Sequence, residues 1–110
     1  MDDRQRYEMH AAVFSALAHP VRHELFHLLC EKPRSPSELA ELLGISKPNV
    51  SQHLALLHHH GLVARSRQGG HVEWHVTDPR LAQACALVDE VMGADLQARL
   101  HALEGKDHDV

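Results

Sequence analysis

Aromatic side chains are scarce in this chain: two Phe, one Tyr and one Trp among 110 residues. A core without large rings must be filled by Leu, Val and Ala, which suits packed helices better than the layered sheets of most enzymes. Cysteine is nearly absent too. Cys30 and Cys85 are far too few for a disulfide framework and point to a reducing compartment, where they serve as thiols, metal ligands or a redox pair. No apolar run approaches the ~18 residues a membrane span needs, and MDDRQRYEMH lacks both the basic start and the apolar middle of a signal peptide. A cytoplasmic location is expected. One further shortage is local. The chain carries 15 acidic and 11 basic residues, yet no Asp or Glu lies between positions 45 and 72, the stretch that holds Lys47, Arg65 and Arg67. The formal charge of −4 therefore averages two unlike surfaces, and one of them suits a phosphate backbone.

A chain of this length makes one domain, expected over 1–105 with a polar tail at 106–110. Its punctuation marks the elements. RYEMHAAVFSALAH reads as a first helix, and HPVRHELFHLLCEKP as a second. In the second, Pro20 takes a first helical position, Pro33 stands beyond the end, and Val21, Leu25, Leu28 and Leu29 form the core side. In SPSELAELLG, Ser35 and Glu38 have the spacing of a capping box, Gly44 is a stop, and Leu39, Leu42 and Leu43 are expected to be buried. Ser46 caps the next helix, whose apolar stripe is Val50, Leu54 and Leu57 and whose stop is Gly61. After Gly61 the period changes to two. HVEWHVT alternates Val72, Trp74 and Val76 with polar residues, LVARS pairs with it, and RQGG supplies the turn. Asp78 and Pro79 then lead into a long helix with Leu81, Cys85, Val88, Met92 and Leu96, more apolar surface than a small domain covers alone. The order implies a mainly α (α+β) winged helix-turn-helix of about five helices and a two-stranded β-hairpin wing.

The run LGISKPNVSQHLALLHHHGLVARSRQGGHVEWHVTDPRL, with ALAHPVRHELFHLL upstream, resembles the ArsR/SmtB family of bacterial winged-helix repressors over residues 11–92. The resemblance implies a homodimer, joined through the first and last helices, that binds a pseudopalindromic double-stranded operator and releases it on metal binding or thiol oxidation. It places Ser46, Lys47, Asn49, Ser51, Gln52 and His53 on the recognition helix and Arg65, Arg67 and Gln68 on the wing. The residue types agree. Short hydroxyl and amide groups reach base edges, and Arg on a hairpin grips the backbone or minor groove. For His53, DNA contact and a hydrogen bond to the scaffold both stay open.

The family's better-known sensor sites are missing. The thiolate site would need Cys at Ala40 and Leu42, and the zinc-type site keeps Asp78 but has Arg80, Val91 and Ala94 where it needs histidines. What remains is the second helix, where His23, His27 and Cys30 fall within about 60° of one another at 100° per residue, on the side away from the core. With Cys85 they make a set suited to a divalent or thiophilic metal ion, and the two thiols alone would suit a redox switch. Solvated histidines and packed cysteines are the plainer alternative. His23, Glu24 and His27 also spell H-E-x-x-H, the zinc-protease string, but the helix is committed to a core and offers no cleft. Two other functions therefore compete with the repressor: a winged-helix module that binds protein, and a small metallohydrolase.

Overall fold

The protein is described by a computed structural model covering residues 1–109, with all side chains in that range except those at 68, 94–97 and 105–109. It forms two compact units, Met1–Asp78 and Pro79–Val110. The first contains α1 (Asp3–Leu17), α2 (Pro20–Glu31), α3 (Pro36–Leu43), α4 (Lys47–His59), β1 (Val63–Gln68) and β2 (His71–Val76). The second is α5 (Arg80–Asp109). Gly93, at φ 13° and ψ −124°, breaks α5 in two, giving six helical segments among the described residues where the sequence suggested about five. No described helix is long and apolar enough to cross a membrane.

The core of the first unit is aliphatic apart from one ring. Leu25, Phe26 and Leu29 of α2 meet Leu17 and Ala16 of α1, Leu39 of α3, Val50, Leu54 and Leu57 of α4, and Val63 of β1, all buried. The hub is α2, which packs on α1, α3, α4 and β2. Phe26 belongs to that core although the sequence reading passed over it, while Val21 and Leu28 are only half-buried. The expected burial of Leu42 is also corrected: the side chain is 51% exposed, because a helix of eight residues has just one inward stripe and Leu39 fills it.

Local signals set the helix ends. Pro20 begins α2, where its missing N–H costs nothing. The hydroxyl of Ser35 accepts from the N–H of Glu38 at 3.1 Å, but the return half of the capping box is not made. The Glu38 carboxylate instead stands 3.7 Å from Arg34. Gly44, at φ 68°, ends α3 in the left-handed conformation and donates to the Ala40 carbonyl at 2.9 Å.

The wing is an antiparallel ribbon in which Val63, Arg65 and Arg67 stand opposite Val76, Trp74 and Val72. Gly69 and Gly70, at φ 55° and 93°, make the two-residue turn, so β1 runs two residues further, through Arg67 and Gln68, than RQGG suggested. Arg34 adds a bridge on the far side of β2, exchanging both backbone bonds with Trp74 at 2.8 and 3.0 Å. The strict alternation expected of β2 is not seen, for residues 72–76 are all half-buried. A narrow ribbon lying against α2 and α3 leaves neither face fully covered or fully open.

Candidate nucleic-acid interface and sensing residues

The turn between α3 and α4 is short, and Ser46 starts the second helix by accepting from the Asn49 N–H at 3.3 Å. Lys47, Asn49, Ser51 and Gln52 all present exposed side chains on the first turns of α4, while Val50, Leu54 and Leu57 on its other side enter the core. Few first-turn N–H groups are left free at this terminus. Pro48 has none, and the cap takes that of Asn49, so Lys47 supplies the remaining first-turn donor. The helix dipole still favours an anion there.

His53 is set apart from these residues. Its ring is partly buried, 4.8 Å from that of His19 at the head of α2 and tilted 45° to it. Burial holds its pKa below the usual imidazole range, with His19 and then Arg22 adding to the effect. In the wing, Arg65 and Arg67 are exposed on one face of β1, two residues apart, and line a shallow groove with Ser66 and Val72. The side chains of Gln68, Leu96 and residues 106–109 lie outside the described residues, as does Val110.

The sequence profile described as "Bacterial regulatory protein, arsR family" matches residues 19–65, the stretch from the head of α2 into β1. An uncharacterised helix-turn-helix transcriptional regulator of Mycobacterium tuberculosis, Rv0081, is 33% identical over 105 residues, covering 94% of this chain and 92% of its own length. The chain belongs to the ArsR family. The crystal structure of Rv0081 superposes with a TM-score of 0.76 at 34% identity, covering 86% of this chain and 95% of that one. The solution structure of a homodimeric winged helix-turn-helix DNA-binding domain from Mycobacterium bovis, Mb0332, gives a TM-score of 0.76 at 27% identity, over 89% and 93% of the two chains. A probable mercury resistance operon repressor of Streptomyces lividans is 38% identical over 90 residues, covering 82% of this chain and 71% of its own.

In this ArsR-family protein His23 and His27 sit one turn apart on α2 with ring centroids 4.8 Å apart. His23 is exposed, and its Nδ1 lies 3.3 Å from the Leu17 carbonyl oxygen. Because a carbonyl only accepts, that contact puts the proton on Nδ1 and leaves the lone pair on Nε2. His27 is half-buried, edge-on to Phe26 at 5.8 Å. Cys30 is half-buried as well, so this group runs along the margin of the core instead of standing opposite it. Cys85 is half-buried on the first part of α5, and neither thiol is in a disulfide. Burial raises the Cys85 pKa above the ordinary thiol value, and the Asp89 carboxylate one turn later raises it further.

Besides Phe26, two polar structural residues escaped the sequence reading. His19 is the N-cap of α2, its Nδ1 accepting from the Val21 N–H at 3.1 Å. The signal was present, since a residue just before a helix-opening Pro occupies the cap position, but an imidazole is an uncommon cap. Arg34 gave no such signal.

Proposed function

We propose that this protein is a homodimeric repressor that reads a pseudopalindromic operator with α4 and steadies it with the wing, and that a metal ion or thiol oxidation releases the DNA. Asn49, Ser51 and Gln52 face base edges, Ser46 and Lys47 hold a phosphate at the helix head, and Arg65, Arg67 and Gln68 grip the backbone beyond. His53 is assigned to the scaffold. One observation carries this reading: the polar residues on the first turns of α4 are exposed, at a capped helix start, inside a stretch free of acidic residues. The similarity to the M. bovis protein, a homodimeric DNA-binding domain, supports both the dimer and the DNA. α1 and α5 supply candidate dimer faces, since Tyr7 and Phe14 on the one and Leu87, Val88 and Val91 on the other are exposed.

The effector is assigned to His23, His27, Cys30 and Cys85. The S. lividans relative, named for mercury resistance, favours a thiophilic ion, and the adjacent imidazoles with a lone pair on His23 Nε2 favour a metal over a thiol switch. The raised Cys85 pKa points the same way, because a thiol that resists ionisation is a poor target for oxidants but still yields its proton to a bound metal. Fluorescence anisotropy on DNA from the protein's own upstream region tests the whole. Asn49→Ala and Gln52→Ala should each weaken discrimination between bases by about 1–3 kcal/mol. Release by a metal panel or an oxidant should weaken in Cys30→Ser and Cys85→Ser. If both variants keep every response, the sensor assignment fails while the DNA-binding assignment stands.

A further inference from the structure

We infer that His58 is a positioning residue for the proposed DNA site: from the last turn of α4, its ring holds the wing at the spacing from the recognition helix that lets both meet one duplex. This role rests on the repressor reading. It gives a task to one of the three histidines at the end of α4, none of which that reading uses.

Helix and wing become one DNA surface only through their relative placement. The proposed base-reading side chains start α4 and the arginines lie on β1, with the joint at residues 60–62 between them. Gly61, at φ 74°, takes the left-handed conformation that turns the chain out of the helix. Left to itself, so short a joint would let the ribbon swing.

Three successive carbonyls are fastened there. Thr77, just past β2, donates its hydroxyl to the Gly61 carbonyl at 2.7 Å and its N–H to that of Leu62 at 3.2 Å. The carbonyl of Val63 faces the other way. Because Thr77 bonds Leu62 on the inner side of the ribbon, the next pair, Val63 and Val76, shares no hydrogen bond and turns its backbone groups outward. That outward carbonyl lies 3.1 Å from His58 Nδ1, which carries the proton, since a carbonyl only accepts. The same ring stands edge-on to Trp74 at 5.8 Å. Trp74 is opposite Arg65 and bonds Arg34 through its backbone, so His58 ties α4 to a ribbon whose other edge Arg34 holds.

What the bond fixes is geometry more than stability, for His58 is an exposed residue outside the core. Val50, Leu54 and Leu57 already hold α4, and the freedom that remains belongs to the ribbon beyond Val63. Arg67 lies four residues past that point, about 13 Å along a strand. A tilt of about 15° at the joint therefore moves it by about 3 Å, roughly the length of the hydrogen bond it would make to a phosphate.

The test measures anisotropy on DNA from the protein's own upstream region, across a salt series. It compares the wild type, His58→Phe, His58→Asn, Thr77→Val and the double variant Arg65→Ala with Arg67→Ala, the last also combined with His58→Phe. Phe keeps a ring and loses the donor, whereas the Asn amide offers an N–H at the same place along the side chain. His58→Phe should lower affinity about tenfold and flatten the salt dependence towards that of the arginine variant, and His58→Asn should restore both. Phe and Asn are both uncharged, so a difference in slope between them reports lost phosphate contacts. In the combined variant the two losses should not add. Thr77→Val, which opens the joint from the other side, should flatten the slope too, and it decides if His58→Phe does not fold. A wild-type slope in the deciding variant, equal losses in Phe and Asn, or losses that add overturn the positioning role alone. A wild type that does not bind, or an arginine variant that binds as the wild type does, overturns the repressor reading or its wing and the role of His58 with it.

Discussion

Arg34 ties three elements together from a position that reads as loop. Its Nε donates to the Leu28 carbonyl at 3.0 Å, its Nη2 meets Glu31 at 2.6 Å, and its backbone pairs with Trp74, while only 11% of the side chain is exposed. The carboxylate of Glu31 is largely in water and that of Glu38 nearly half, so the ion pairs add little. The bond to the carbonyl at the end of α2 matters more. Arg34→Ala should cost about 1–3 kcal/mol in chemical denaturation, mostly from that unsatisfied carbonyl. None of this was legible, because the partners of Arg34 come from α2, α3 and β2, and only the fold brings them together. Cys85 belongs to the same scale. With its pKa raised by burial and Asp89, the thiol should react with iodoacetamide more slowly than a free cysteine at neutral pH, and Asp89→Asn should speed it. A rate indifferent to Asp89 would contradict the second cause.

At the scale of elements, the ends of α2, α3 and α4 were legible because caps and stops act within one turn. Pro20, Ser35, Gly44 and Ser46 all stand where their local chemistry requires. Ser46→Ala should cost about 1 kcal/mol and fray the start of α4, so operator affinity should fall alongside helix content measured by circular dichroism. What depends on packing was less legible. Leu42 keeps helical spacing yet faces out, Glu38 prefers a guanidinium to the cap, and β2 shares its cover between two helices instead of burying one face. The break at Gly93 had a visible sign, since glycine inside a helical pattern weakens it by roughly 1 kcal/mol. The core is safer ground: Leu54→Ala, at 1% exposure, should destabilise by about 2–5 kcal/mol. The exposed polar face of α4, proposed to meet DNA, was the most legible part of the candidate site, because such a face behind an apolar stripe is a property of one helix. The residues proposed for sensing were the least, because any such use depends on how separate helices meet.

For the whole molecule, the repressor reading requires two copies. Val91 of α5 is 73% exposed, beside exposed Leu87 and Val88, and water is a poor neighbour for such a surface. Val91→Glu should shift the protein towards monomer in sedimentation and cost operator affinity in the same variant, since each half-site alone binds weakly. The proposal that this negatively charged chain meets DNA through the surface of its acid-free stretch, residues 45–72, is tested most directly by the salt dependence of operator binding. Two subunits offering Lys47, Arg65 and Arg67 should lose affinity by roughly a thousandfold between about 50 and 200 mM salt, and replacing all three by Ala should flatten that slope. Affinity indifferent to salt, or an unchanged slope in the triple variant, would contradict the account.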